Sequence, residues 1–320
     1  MTDRPHHPPA IFLMGPTASG KTALAIELRK QFPLEIISVD SSLVYRGMDI
    51  GTAKPSPEEL ALAPHRLIDL RNPDEPYSAA DFCADALEEM KQITAAGRIP
   101  LLVGGTIFYF NSLEFGLSKL PAADREIRNR IEKEIERDGL AAAHRRLSSQ
   151  DPESGRRIHA NDSQRIERAL ELIELTGQTP TELAASTETA APLPYRLVKL
   201  ALWTEDRHLL KERISHRFDQ MLEQGLVAEI ESLLKKQNLD PSLPAMRMVG
   251  YRQALEYLDG AISFEEMRDR AVIATGQLAK RQMTWIRSYP GVERLNCLDS
   301  ELTRRAKGII GRKLSDLCIY

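Results

Sequence analysis

The chain has 320 residues, the length of one large or two modest domains, with 42% hydrophobic and 28% charged residues, a balance that excludes a disordered or fibrous protein. Lys and Arg number 43 against 46 Asp and Glu, a formal charge of -3, which excludes a globally basic nucleic-acid coat or a polybasic membrane binder, so an anionic ligand must be met locally. Cys83, Cys297 and Cys318 lie far apart with no C-x-x-C pair, which argues against a disulfide framework and a cysteine zinc site and suits a reducing cytoplasm.

In chain order, His6 and His7 read as terminus and not as metal ligands. The first apolar run, Ala10 to Met14, is too short for a signal h-region or a membrane span. It reads as a strand entering a glycine-containing loop, and Ala23 to Gln31 then carries apolar residues at helical spacing. Further strand-like runs stand at Glu35 to Val39, Arg66 to Leu70, Ile99 to Val103 and Leu197 to Leu202, separated by helical stretches. Ser78 and Asp81 form a capping box for a helix whose stop is Gly97. Such alternation predicts an α/β fold, a parallel sheet with helices on both faces. From about Pro121 to Leu193 there is no strand-like run, many charges, and an isoleucine ladder at Ile127, Ile131 and Ile135. An all-helical insertion over 121–194 is therefore expected, with residues 1–120 and 195–320 forming the core and Ser186 to Pro194 a linker back into it. From Asp206 onward the pattern is helical.

Gly15-Pro-Thr17-Ala18-Ser19-Gly20-Lys21-Thr22 fits G-x-x-x-x-G-K-[ST] between a strand and a helix, the context that the motif requires. Glycines let backbone N–H groups converge on phosphate oxygens at a helix N-terminus, Lys21 adds a point charge, and the Thr22 hydroxyl can hold Mg²⁺. The core is thus P-loop NTPase-like. An NTPase would normally also supply an apolar strand ending in a magnesium-binding Asp, yet Ile99 to Val103 runs into Gly104-Gly105-Thr106, and Leu67-Ile68-Asp69 is a weak substitute. No N-K-x-D guanine signature is present. Asp40 ends the second strand, at the carboxyl edge where open α/β sheets bind ligands.

Together with the phosphate loop, Ser38-Val-Asp40-Ser41-Ser42-Leu43-Val-Tyr45 through Lys54-Pro, Val103-Gly-Gly-Thr106, Val249-Gly-Tyr-Arg252 and Lys280-Arg-Gln-Met-Thr-Trp-Ile-Arg287 resemble the tRNA dimethylallyltransferases, from about residue 10 to 290. The resemblance implies transfer of a dimethylallyl group from dimethylallyl diphosphate to the exocyclic amine of the adenosine 3′ of the anticodon. It makes the phosphate loop, with Mg²⁺, the holder of a diphosphate leaving group and not of a hydrolysed nucleotide. It also implies that Ser41, Ser42, Leu43, Arg247 and Arg252 meet tRNA, although this chain has Leu43 where some relatives carry Gln. The tail, Asn296 to Tyr320, lacks the paired ligands of the zinc finger that eukaryotic relatives add, so a bacterial-type member is implied; a monomer is the expected state.

Alkyl transfer to an aromatic amine needs a base, charge stabilisation on the leaving group and exclusion of water. Asp40 is the expected base, though a strand-terminal Asp can also cap the following turn. Thr106, after two glycines at a strand end, can approach the diphosphate or the amine, or be a plain turn residue. Arg217 lies beside the stripe Leu210, Ile214, Phe218 and Met221, where a charge is either a snorkelling structural arginine or, as the resemblance implies, a diphosphate ligand; Arg213 is the runner-up. Arg270 to Pro290 holds Arg270, Lys280, Arg281 and Arg287 with no acid, so this helix is expected to bind RNA with Trp285 and Tyr289 available for stacking, the alternative being a solvated face. In the insertion, Asn161 or Asp162 caps a helix on which Gln164, Arg165 and Arg168 point away from Ile166, Ala169, Leu170 and Ile173, and the resemblance puts this segment on the anticodon stem-loop. A P-loop small-molecule or nucleotide kinase would explain the loop but not the acid-free basic helix. An RNA-binding ATPase switch would require RNA-stimulated hydrolysis.

Overall fold

The computed structural model describes residues 7–117, 120–121, 123–186, 193–237, 239–240 and 243–318; His6 and most of the expected linker lie outside them. The first half of the core runs β1 (Pro9–Met14), α1 (Lys21–Arg29), β2 (Leu34–Val39), α2 (Pro57–Leu62), β3 (His65–Arg66), α3 (Ala79–Ala95), β4 (Ile99–Gly104) and α4 (Ile107–Phe115). There follow α5 (Arg125–Asp138), α6 (Leu140–Gln150), α7 (Pro152–Arg157), α8 (Ser163–Thr176) and α9 (Pro180–Ser186), all helical. The chain then continues through β5 (Arg196–Trp203), α10 (Arg207–Glu223), α11 (Leu226–Gln237), α12 (Tyr251–Leu258), α13 (Phe264–Ser288), β6 (Glu293–Asn296) and α14 (Leu302–Cys318). It divides into two compact units, 115–192 and the remainder.

In the larger unit all six strands are parallel, in the order β3-β2-β4-β1-β5-β6. Strands buried on both faces read as unbroken apolar runs, and β1 shows why. Ile11 and Leu13 pack with Leu24 and Leu28 of α1 and Ile310 of α14, whereas Ala10, Phe12 and Met14 face Phe82 and Met90 of α3 and Phe110 of α4. The period of two assigns each neighbour to a face. Ser78 and Asp81 form the expected capping box on α3. A third core, between α10, α11, α12 and α13, clasps Val44, Tyr45 and Met48 from the segment after β2.

Two expectations fail. The run Arg66 to Leu70 is strand only at His65–Arg66, because Leu67 and Asp69 adopt left-handed φ values of 62° and 56° that end the ladder. The C-terminal part is not wholly helical: Glu293–Asn296 pairs with Leu200–Trp203 as β6. A four-residue strand with one buried residue, Leu295, carries too little apolar pattern to be seen.

In the smaller unit, Asp124 caps α5 and Asp162, not Asn161, caps α8. Ile131, Leu147, Ile166 and Leu170 form its core, with Ile127 and Ile135 partly buried beside them. The carboxylate of buried Glu171 accepts from Asp124 N–H and from the side chains of Arg128 and Arg168. Among the described residues no helix is long and apolar enough to cross a membrane.

Candidate active site

Strand register creates the site. Gly104 is aligned with Met14 on one side and Val39 on the other, so Gly15, Asp40 and Gly105 leave the sheet in one row at its carboxyl edge. The packing there tolerates no side chain at 104: a Cβ would lie 1.9 Å from the Val39 carbonyl oxygen. The phosphate loop turns back on itself through positive φ at Ala18 (60°) and Gly20 (87°), and α1 begins at Lys21 with no side-chain cap on its first N–H groups. Those donors are thereby left for an anion. Ser19 is buried, and its Oγ has no partner among the described residues.

Lys21 reaches back to the Pro16 carbonyl at 2.7 Å. Burial pulls its pKa down to about 8, the nearby Arg217 charge adds to that, and Asp40 opposes it. The Arg217 pKa is lowered by the same burial and supported by Asp40. Lys21, Asp40 and Arg217 therefore share one electrostatic environment; Arg213, one turn away, is exposed and acts on Cys297, which is itself coupled to Lys21.

Asp40 Oδ1 accepts from Ser42 N–H at 2.9 Å and from Ser42 Oγ at 2.6 Å. The capping alternative is thus physically realised, but it occupies one carboxylate oxygen; Oδ2 has no hydrogen bond among the described residues. Thr106 Oγ1 accepts from Ser41 N–H at 3.1 Å and lies 3.4 Å from Ser41 Oγ, so it braces the turn that carries Asp40. Gly105 and the loop are tied together by Gln282 of α13. Its Oε1 accepts from Thr17 N–H at 2.9 Å and its Nε2 donates to the Gly105 carbonyl at 2.9 Å. The Thr17 backbone donor, expected to face a diphosphate, is therefore committed, and its hydroxyl is what remains for a ligand.

Gln282 escaped the sequence reading, although it flanks the stripe of buried Ala279, Met283 and Ile286, where an amide signals a buried partner. Two further residues escaped it. The Glu229 carboxylate accepts from the N–H groups of Asp49, Ile50 and Gly51 and from the Tyr251 hydroxyl. Lys54, its side chain 5% exposed, bridges Asp49, Asp69 and the Tyr45 carbonyl. Asp69 is thus an ion-pair partner in a loop and not a strand-end magnesium ligand.

The residues expected to meet RNA fall into two sets. Gln164, Arg165, Arg247, Arg252, Lys280, Arg281 and Arg287 are exposed, Arg165 and Arg252 being paired with Asp162 and Glu256. Ser41 and Ser42 spend their N–H groups on the site, and the Leu43 carbonyl accepts from Asp69 N–H. Arg168 is held by Glu171 and the Pro121 carbonyl, and Arg270 by Glu256 and Glu266, so their charges are already balanced. Tyr289 is buried with its hydroxyl donating to Glu114, which removes it as a stacking platform; Trp285, 41% exposed, stands edge-on to Phe108. Among the described residues no group of three or more His, Cys, Asp or Glu could hold a metal ion by itself.

A parallel α/β sheet with a phosphate loop at its carboxyl edge places the molecule among the P-loop-like α/β proteins. Within them the chain belongs to the IPP transferase family, whose model matches residues 43–289. It is 62% identical over 290 residues, 91% of this chain and 90% of the relative, to a tRNA dimethylallyltransferase of Thioalkalivibrio sulfidiphilus. Among solved structures it is similar to the tRNA isopentenylpyrophosphate transferase of Bacillus halodurans, at 36% identity and a TM-score of 0.70 over 97% of this chain and 98% of that one. It also resembles a eukaryotic dimethylallyltransferase acting on tRNA, at 25% identity and a TM-score of 0.79 over 97% and 80% of the two chains.

Proposed function

We propose that the chain transfers the dimethylallyl group of dimethylallyl diphosphate to the N6 amine of the adenosine 3′ of the anticodon in tRNA, releasing diphosphate. The observation that carries this reading is the electrostatic coupling of Asp40 and Arg217 to Lys21 of the phosphate loop, in a chain belonging to the IPP transferase family. The loop N–H groups beyond Thr17, Lys21 and Arg217 hold the diphosphate and take up the charge it gains as the C1–O bond breaks. Asp40, its Oδ1 fixed by Ser42, presents Oδ2 to the amine and takes the N6 proton as the N6–C1 bond forms. Thr106 and Ser41 hold that carboxylate in register.

Mg²⁺ fits this arrangement as a partner of the diphosphate. The Thr22 hydroxyl at the start of α1 is a single hard oxygen donor, and Mg²⁺ is commonly held by one or two protein ligands plus substrate phosphates and water. Bound there, it would neutralise leaving-group charge. The exposed cations of α13, with Arg247, Arg252, Gln164 and Arg165, supply the RNA contacts in this reading, and the chain acts in the cytoplasm as a monomer.

Radiolabelled dimethylallyl diphosphate, Mg²⁺ and unmodified tRNA are incubated with the chain, with ATP added to a parallel tube. Label enters RNA equally in both. Absence of label in RNA, or label transfer that requires ATP, would contradict the reading.

A further inference from the structure

Helices α10 and α13 leave between them a cleft of about 260 Å³ with an apolar floor that includes Ile214 and Met283 and a rim of four cations, Arg207, Lys211, Lys280 and Arg287. A second hollow, of about 350 Å³, shares Arg207, Met283 and Arg287, is lined also by Glu205, and extends the groove to Trp203 at the end of β5 and Arg294 in β6. The guanidinium carbons of Arg287 and Arg294 lie 5.5 Å and 5.4 Å from the Trp203 ring centroid, within cation–π range.

No carboxylate pairs with any of these five cations among the described residues, whereas Arg66, Arg128, Arg146 and Arg268 are all ion-paired. In a chain of net charge -3, five cations around one groove, against Glu205 as the acid in its lining, repel one another and gain most from a ligand with several spaced negative charges. One diphosphate, already met at Lys21, does not match that extent; a run of phosphodiesters does. An apolar floor with a half-buried indole adds what a mineral polyanion would not need, a surface for a ribose or a base face.

We propose that this groove is a second stretch of RNA-binding surface, carrying the RNA from α13 onto α10 and the end of β5, with phosphodiesters on the rim cations and a base or ribose against Trp203. The proposal rests on the reading that the chain acts on tRNA and adds Arg207, Lys211, Arg294 and Trp203 to the residues that recognise it.

The test compares wild type with Arg207→Glu/Lys211→Glu in titrations of fluorescent tRNA at several salt concentrations, alongside steady-state kinetics. The double variant should bind tRNA about tenfold or more weakly near 0.1 M salt, with a log K against log salt slope shallower by about 2. Its KM for dimethylallyl diphosphate and its kcat at saturating tRNA should stay near wild type. Because the chain has two tryptophans, Trp285→Phe leaves Trp203 as the sole tryptophan, and its selectively excited fluorescence should change on addition of tRNA and not of dimethylallyl diphosphate. Unchanged affinity and slope in a double variant that unfolds at the wild-type temperature would overturn the proposal, as would a Trp203 signal that answers to dimethylallyl diphosphate instead. A wild type that binds no tRNA would overturn the functional reading itself, an outcome visible before any variant is compared.

Discussion

Gln282 clamps Thr17: its side-chain oxygen accepts the Thr17 backbone N–H at 2.9 Å, while its amide nitrogen, donating to the Gly105 carbonyl, anchors the other end. One side chain of α13 thereby sets the spacing between the phosphate loop and the strand end that carries Thr106. Replacing it by Met keeps volume and removes both bonds, leaving two partly buried backbone groups unmet at a cost of about 1–3 kcal/mol. Gln282→Met should lower stability by that amount and raise KM for dimethylallyl diphosphate, because the loop is no longer tied to the Gly105 carbonyl. Steady-state kinetics check this, and an unaltered KM would show that the loop holds its shape without the clamp.

Asp40 offers a separation of roles. Asp40→Asn retains an oxygen for Ser42 N–H but cannot take a proton. Both Asp40→Asn and Asp40→Ala should lose about two to four decades of single-turnover rate, the usual span for a positioned base, with tRNA affinity nearly kept. Rescue by Asn to within about threefold of wild type would mean that Asp40 serves only to cap its turn.

Lys21 predicts a pH signature. Its pKa of about 8 in the fold lies below its ordinary 10.5, so between those values the unfolded chain binds more protons than the folded one and stability rises with pH. Urea unfolding of the free chain should show this increment between about pH 8 and pH 10, and Lys21→Met should lack it. Over the same range wild type loses a cation from the loop, so affinity for dimethylallyl diphosphate should fall above pH 8. An affinity that stays flat to pH 10 would remove the Lys21 charge from donor binding.

Much of this was legible in the sequence. The phosphate loop, the strand-end Asp40 and the parallel sheet are written locally, in contiguous motifs and apolar runs that neighbouring residues suffice to interpret. What stayed hidden depends on partners far along the chain. Glu229 meets Asp49, Ile50 and Gly51 across some 180 positions, and nothing in its own helix marks it. The charge on Arg270 looked free because packing brings it Glu256 from another helix, whereas Glu171, on the same helix as Arg168 at i,i+3 spacing, was readable as its partner. The strand at Arg66 to Leu70 failed for a backbone reason, the left-handed turns at Leu67 and Asp69.

Glu229 gives the fourth expectation. It accepts three N–H groups and the Tyr251 hydroxyl, so Glu229→Ala should destabilise the chain by about 2–4 kcal/mol, in the range seen when a hydrogen-bond network with buried members is broken. Glu229→Gln keeps acceptors and should recover part of that. Denaturant unfolding of both variants decides it; a loss within about 0.5 kcal/mol for Ala would show that the 49–51 turn stands without its carboxylate.

The most direct test of alkyl transfer at this site counts products in one reaction: diphosphate released, and adenosines alkylated at N6 after digestion of the tRNA to nucleosides. Wild type should yield one diphosphate for each modified adenosine, at the position 3′ of the anticodon, with no inorganic phosphate formed from added ATP. Diphosphate released without modified adenosine, or phosphate formed from ATP in step with RNA binding, would contradict it.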